Sequence, residues 1–382
     1  MRIAVAREML SWARQRARLD FDYLSKTFPR LSDWEQGKIH PTLKQLEDYA
    51  NKTHLPVGVF FLPEPPKEDL PIPDFRIMGT TPYDRPGPDL LETIYICQQR
   101  QEWYRDYAKI HGMEPLGFIG SKTLDDDIIQ VAIDISTTLH FNFNQRQQTP
   151  TWAYALRMFV DQVEKQGIMI MISGVVGSNN YRKLDPEEFR GFLLADELAP
   201  LIFINSNDTI SAKIFTLAHE LAHLWLGKSG VSNMLMDAIP DEKTERWCNQ
   251  VAAEFLVPLA DLRNTYHADN NLHTEMERLA RRYKVSTLVV LRRIYDMGAI
   301  AGKTFWETWN AEFERLLKIE RRSGNGGNFY RTLGVRISKR FTRALVASTL
   351  EGHTLFRDAF RMLSIKKNST FYEIAHNFGF EK

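Results

Sequence analysis

Two histidines and a glutamate near the middle of the chain carry its clearest chemistry. In the stretch 214–227, IFTLAHELAHLWLG, His219 and His223 stand four residues apart with Glu220 between them. On a helix of 3.6 residues per turn, side chains four apart share one face. Two imidazole nitrogens can then reach one zinc ion. Glu220 comes close enough to touch a water on that ion, but not at the angle of a third ligand. Two ligands and a general base make up most of a metal hydrolase. The string is short enough to arise by chance in about one chain in a hundred of this length, so its setting matters. Leu217, Ala218, Leu221, Ala222, Leu224 and Leu226 surround it with apolar side chains, as a helix in a dry catalytic core requires. The competing reading is a buried helix whose histidines are satisfied by hydrogen bonds.

A catalytic zinc takes three protein ligands and keeps one position open for water, so a third ligand must come from another element. After Gly227 a polar stretch leads into DEKTERWCNQVAAEFLVP, a strongly patterned helix that Pro258 ends. Its acidic candidates are Glu242, Glu245 and Glu254. Residues 245 and 254 are separated by about 900° of helical rotation and point in opposite directions, so only one can face the metal. Cys248 and Asn249 share the face of Glu245.

The elements that position these residues follow from period and punctuation. Before the motif, Ile168–Ser173 (IMIMIS) and Leu201–Asn205 (LIFIN) are short apolar runs of strand type with GFLLAD between them. A small sheet thus precedes the motif helix, for which Asp208 and Ser211 are candidate caps. A sheet edge beside such a helix can bind an extended peptide as an added strand, and one of the two runs would supply it. Upstream, LLETIYICQQRQEWYRDYAKI, DDDIIQVAIDISTTL and WAYALRMFVDQVEKQ are amphipathic helices whose aromatic positions read as core. Downstream, ERLARRYKVSTLVVLRRIYDMGAI reads as two helices around Lys284-Val285-Ser286, with Ser286 as N-cap and Gly298 as C-cap. Residues 63–88 hold eight of the 17 prolines and form a connector. Its embedded Phe75 and Arg76 point to packing along a neighbouring domain. The fold class is α+β and mainly helical. The chain divides into a helical segment 1–62, the connector 63–88, a domain 89–300 ending in the helix pair, and a basic helical region 301–382 interrupted at Ser323–Gly327.

Composition sets the outer bounds. A chain of 382 residues with 43% hydrophobic and 25% charged residues has room for two or three domains and a sizeable core. There is no run of eighteen apolar residues and hence no membrane span. The start, MRIAVAREMLSWARQRARLD, lacks the apolar core of a secretory signal. Cys97 and Cys248 are too few for a disulfide framework, and the expected compartment is the cytoplasm. The net charge of +1 conceals an asymmetry, because residues 310–382 hold 14 Lys and Arg against 7 Asp and Glu. That tail could meet nucleic acid or an acidic partner, or be a plain solvated helical face.

Two resemblances add to this reading. The run Leu31-Ser32-Asp33-Trp34-Glu35-Gln36-Gly37, followed by Pro41-Thr42-Leu43 and Leu46-Glu47-Ala50, resembles the later half of the helix-turn-helix of the XRE/Cro repressor family. Gly37 can stop a helix there and Thr42 can cap the next. The stretch before Trp34 is about four residues shorter than in that family, and the missing part is the one that enters the major groove. The resemblance therefore implies DNA binding less strongly than an intramolecular or dimerising role. FTLAHELAHLWLG paired with E-R-W-C-N-Q-V-A-A-E-F-L-V-P resembles the ImmA/IrrE family of metallopeptidases, and the XRE-like segment, the DFR after the connector and LDPEEFRGF match its long members. That resemblance covers residues from about 30 to 300. It implies a zincin-like core, with His219 and His223 as zinc ligands, Glu220 as general base and Glu245 as third ligand. Cys248 as a ligand remains the alternative to a small buried cysteine packing under the site. Glu254 is left to support the site or cap its helix.

The function so implied is a zinc-dependent endopeptidase of narrow specificity that cleaves a helix-turn-helix transcriptional repressor or an antitoxin. An oxyanion-stabilising residue is expected, with Tyr181, Arg182, Tyr266 and His267 as candidates. The rival function is a DNA-binding regulator or antitoxin whose metal domain senses or scaffolds.

Overall fold

The computed structural model describes residues 2–74, 85–232, 243–320 and 336–380. Phe75, Arg76, Glu242 and the interruption at 323–327 lie outside these. The chain forms two units, one of Met1–Pro71 with Tyr83–Ile94 and the other of Ile72–Pro82 with Tyr95–Lys382.

In the first unit, short helices are set by caps and stops. Helices α1 (Arg7–Arg16), α2 (Phe21–Thr27), α3 (Leu31–Glu35) and α4 (Leu43–Lys52) precede a 3-10 turn at Val57–Phe61. Asp20 caps α2 by accepting from the Tyr23 N–H at 2.9 Å. Thr42 and Gln45 form a reciprocal capping box on α4. Gly37, at φ 70°, supplies the left-handed residue that stops the chain after α3. Leu24, Leu31 and Leu46 are fully buried around Phe28, Trp34, Tyr49 and Phe60. The Tyr49 hydroxyl donates to the Leu10 carbonyl at 2.8 Å, so this buried ring is satisfied at both ends. Helix α3, where a recognition helix would lie, is only five residues long.

The second unit is α+β, mainly helical, with one small mixed sheet. Strands β1 (Met169–Ser173), β2 (Gly191–Leu194), β3 (Leu201–Asn205) and β4 (Gly230–Ser232) lie in the order β1-β3-β2-β4. Strand β1 runs parallel to β3, and β2 runs antiparallel to both β3 and β4. Every strand residue is buried. That explains why these strands read as unbroken apolar runs rather than alternating ones.

The sequence had offered IMIMIS or LIFIN as the peptide-binding edge. LIFIN is β3, an interior strand. IMIMIS is an edge, but the other edge is β4, hidden in the sequence because Gly-Val-Ser has one apolar residue. The outward N–H of Val231 on β4 donates to the Pro73 carbonyl at 3.0 Å, and Asp74 bridges to Val231 in parallel sense. The connector thus adds its own backbone to this edge.

Around the sheet lie α5 (Pro88–Ile110), α6 (Ile128–Thr138), α7 (Phe143–Gln147), α8 (Trp152–Lys165) and α9 (Ile210–Trp225). They are followed by α10 (Lys243–Leu256), α11 (Leu259–Thr265), α12 (Leu272–Tyr283), α13 (Thr287–Asp296) and α14 (Gly302–Glu320). Helix α9 packs on β2, β3, α8 and α10, and α10 packs on α6. Every α9 residue from Ile214 to Trp225 is buried, as in a helix enclosed on all sides. Its cap is Thr209, whose hydroxyl accepts from the Ala212 N–H at 3.2 Å. Of the two expected caps, Asp208 is instead paired with Arg190 and Ser211 lies inside the helix. Ser286 caps α13 by accepting from the Val289 N–H at 3.2 Å, and Gly298 follows α13 at φ 78°.

The chain ends with α15 (Lys339–Leu350), α16 (Phe356–Leu363) and α17 (Asn368–Asn377). Helix α15 packs against β1. Its N-terminal Lys339 N–H donates to Oε1 of Glu164 on α8 at 3.1 Å, and Lys339 Nζ pairs with Asp161 at 2.8 Å. Burial pushes the Glu164 carboxyl up to about 7, against weaker opposing hydrogen bonds from Ser338, Ile170 and Lys339.

Glu164 makes stability depend on pH. Between its ordinary value of 4.5 and about 7, the unfolded chain has lost a proton that the folded chain keeps. Its contribution is therefore full below pH 4.5 and falls as pH rises to about 7, by up to about 3 kcal/mol. Glu164→Gln should come close to the wild type at pH 5 and exceed it by about 2–3 kcal/mol at pH 8 in urea unfolding. An equal gap at both pH values would contradict this.

Candidate metal centre

The centre is built where α9 crosses α10. His219 and His223 project from one face of α9, one turn apart. Their Nε2 atoms lie 3.0 Å from each other. From α10, Glu245 sets Oε2 at 3.3 Å from Nε2 of His219 and Oε1 at 2.8 Å from Nε2 of His223. One donor atom from each of the three residues falls within 4.8 Å of the others, the one such group among the described residues. His219, His223 and Glu245 are each 1% exposed and Glu220 is 0% exposed.

Charge in this dry pocket is strongly coupled. Burial works against ionisation of Glu245, yet His219 and His223 outweigh it and hold the carboxyl down at about 2. Burial opposes protonation of His219, but the charge and hydrogen bond of Glu245 raise it overall. At His223 burial prevails and the imidazole is held low. Burial pushes Glu220 up to about 8, with His219 acting in the opposite direction. Among the described residues no group closes a hydrogen bond onto either Glu220 oxygen. The hydroxyl of Ser232 on β4 lies on its side of the pocket and favours the ionised form. A helix whose polar groups served packing alone would not leave a buried carboxyl in this state.

The pocket has no room for a larger frame. A Cβ at Gly191 on β2 would come within 2.7 Å of Thr216 Cγ2, 2.9 Å of the Phe203 carbonyl and 3.2 Å of Glu220 Oε1. Gly191 does not stand out in the sequence, where its only signal is a glycine opening a strand.

The residues present suit a divalent cation. Two imidazole nitrogens and one carboxylate oxygen converge, with Glu220 beside them, which is the donor set of a catalytic zinc site that keeps a position open. A cation would also balance two buried carboxylates, which neutral imidazoles cannot do.

The remaining sequence candidates fall elsewhere. Cys248 is fully buried but its sulfur is not among the converging donors. Glu254, opposite Glu245 on α10, pairs with Arg293 and accepts from the Leu259 N–H at 3.3 Å. Arg293 in turn donates to the Val257 carbonyl at 3.0 Å, so this pair closes the corner between α10 and α11. Tyr181 is 99% exposed, unlike the buried centre. Arg182 is buried in the turn that follows β1, where its N–H donates to Asn179 at 3.1 Å. The His267 N–H donates to Glu275 Oε1 at 2.9 Å, and burial followed by Glu275 raises the Tyr266 hydroxyl. His267 is not among the converging donors.

A family model described as IrrE N-terminal-like domain (Peptidase_M78) matches residues 163–295. A second, described as a domain of unknown function (DUF8813), matches residues 337–377. No curated protein matches the chain. The first match begins near the end of α8, closes in α13 and contains the whole sheet with α9 and α10. It supports the resemblance to the ImmA/IrrE family over this part of the chain and suggests a metallopeptidase, in keeping with the histidine–glutamate group. The second match covers α15 to α17.

Zinc at a thousandfold over its dissociation constant should stabilise the wild type by about 4 kcal/mol. His223→Ala and Glu245→Ala should lose that gain. Thermal midpoints with zinc and with a chelator measure it, and an undiminished zinc shift in both variants would remove the site.

Proposed function

We propose that the chain is a zinc-dependent endopeptidase of narrow specificity whose substrate is a helix-turn-helix transcriptional repressor or an antitoxin. The observation that carries this reading is the convergence of His219, His223 and Glu245 beside an unpartnered Glu220, inside the matched peptidase domain. The three converging side chains would hold zinc, and zinc when bound polarises a peptide carbonyl and makes water acidic enough to attack near neutral pH. Glu220 does the proton work: its carboxylate takes the proton of the attacking water and later delivers it to the leaving amine. Burial raises its carboxyl, and a cation held by the neighbouring side chains would act in the opposite direction and favour the carboxylate that accepts the proton. His219 and Glu245, opposite in charge preference and in contact, keep the ligand set rigid.

Burial also supports narrow choice. With all four residues at 1% exposure or less, an arbitrary chain has no direct path to the centre. The repressor or antitoxin as substrate follows from the family resemblance, as does action in the cytoplasm.

The rival reading is a DNA-binding regulator or antitoxin whose metal domain senses or scaffolds. The basic tail and the XRE-like segment favour it. Against it stand the five-residue α3, which leaves little to enter a groove, and Glu220, which a scaffold does not need.

Glu220→Gln should retain zinc and lose cleavage by a factor on the order of 100 to 10,000. Wild type and variant, loaded with zinc, are incubated with the helix-turn-helix protein encoded beside this chain, and fragments are followed by mass spectrometry. Cleavage by the variant at the wild-type rate would sink the assignment. Salt-dependent DNA binding without cleavage by either protein would favour the rival.

A further inference from the structure

We propose that Ile72–Asp74 of the connector form an inhibitory strand built into the chain: they hold the β4 edge on which a substrate backbone would pair, and a substrate gains that edge by displacing them. The proposal rests on the peptidase reading above.

Strand β4 is an edge of the sheet, next to β2. Its Ser232 pairs with Gly191 of β2, and a Cβ at Gly191 would lie 3.2 Å from Glu220 Oε1. Of the two sheet edges, β4 is therefore the one nearer Glu220, a single strand spacing of about 5 Å beyond β2. All three residues of β4 are buried, so its outward N–H needs a partner. The Pro73 carbonyl accepts from Val231 at 3.0 Å, and Asp74 bridges to Val231 in parallel sense. An incoming extended peptide needs that same N–H.

The connector holds this edge weakly. In a strand the N–H and C=O of one residue point toward the same neighbouring strand, so a residue 73 with an N–H would donate to β4 as well as accept from it. Proline has no N–H, and that second bond is missing. Side-chain anchoring is slight too: Pro71, Pro73 and Asp74 are exposed, and Ile72 is half-buried. A segment with few buried contacts opens locally at small expense in free energy. A substrate without proline at the matching place makes both bonds and displaces the connector. The edge is thus closed to peptides that pair no better than Pro73 does.

The test uses the full, zinc-loaded chain, two variants and the helix-turn-helix protein of the cleavage assay above. One ladder hydrogen bond corresponds to about a 2- to 13-fold change in an equilibrium. Ile72→Gly, Pro73→Gly and Asp74→Gly combined loosen the connector and should lower KM by about 2- to 13-fold. Pro73→Val, which restores the N–H, should raise KM by about the same factor, with kcat unchanged in both variants. Deuterium uptake at the Val231 amide reads the same edge without cleavage, and should be about 2- to 13-fold faster in the triple variant and slower in Pro73→Val. Equal KM in the wild type and both variants overturns the proposal and leaves the peptidase reading standing. Uptake at Val231 that the triple variant does not change overturns it as well. Should the triple variant fail to fold, Pro73→Val decides alone: a KM at or below the wild-type value overturns the proposal. If uptake rises but no chain cleaves the protein, the peptidase reading has failed and the proposal falls with it.

Discussion

The contact between α9 and α10 sets two imidazoles and a carboxylate against one another in the buried interior. Burying such groups is expensive unless each is matched, because desolvation penalises every charge. Here the histidines hold the Glu245 carboxyl low against the cost of its burial, while burial pushes the Glu220 carboxyl up. A divalent cation held by these side chains would balance both carboxylates. The fold serves the same end, with the sheet under α9, α6 behind α10 and the buried Arg293–Glu254 pair fixing the end of α10. A shift of one helix against the other would separate the donors before it exposed any of them.

How much of this could be read from the sequence differs from residue to residue. His219, Glu220 and His223 were legible because helical period alone places two of them together. Glu245 was not chosen by spacing: rotation showed only that it and Glu254 face opposite ways, and the family resemblance decided between them. The structure puts Glu245 with the histidines and gives Glu254 an ion pair, in keeping with that opposition. The buried strands were legible as apolar runs. Their order was not, because pairing is decided between segments far apart in the chain. Strand β4 escaped because a three-residue strand of Gly-Val-Ser has no period to show. The cap of α9 was misplaced by one residue because Asp208 and Thr209 are both good cap formers, and Arg190, eighteen residues earlier, claims the aspartate.

The flanking regions raise a question of access. The centre is enclosed, and the sheet edge at β4 already carries the backbone of Pro73 and Asp74 from the chain's own connector. An extended peptide that added itself to this sheet by strand pairing would compete with the connector for the same groups on Val231. Helix α15 packs on β1, the strand at the opposite edge of the sheet.

The central claim is that α9 and α10 together hold one zinc ion through two nitrogens and one oxygen. X-ray absorption at the zinc edge on the loaded protein tests it most directly. The account predicts a shell of light donors only, at about 2.0–2.2 Å, with the multiple-scattering pattern of two imidazoles. A sulfur shell at about 2.3 Å would place Cys248 on the metal, and a shell without imidazole scattering would place the ion elsewhere; either result would contradict it.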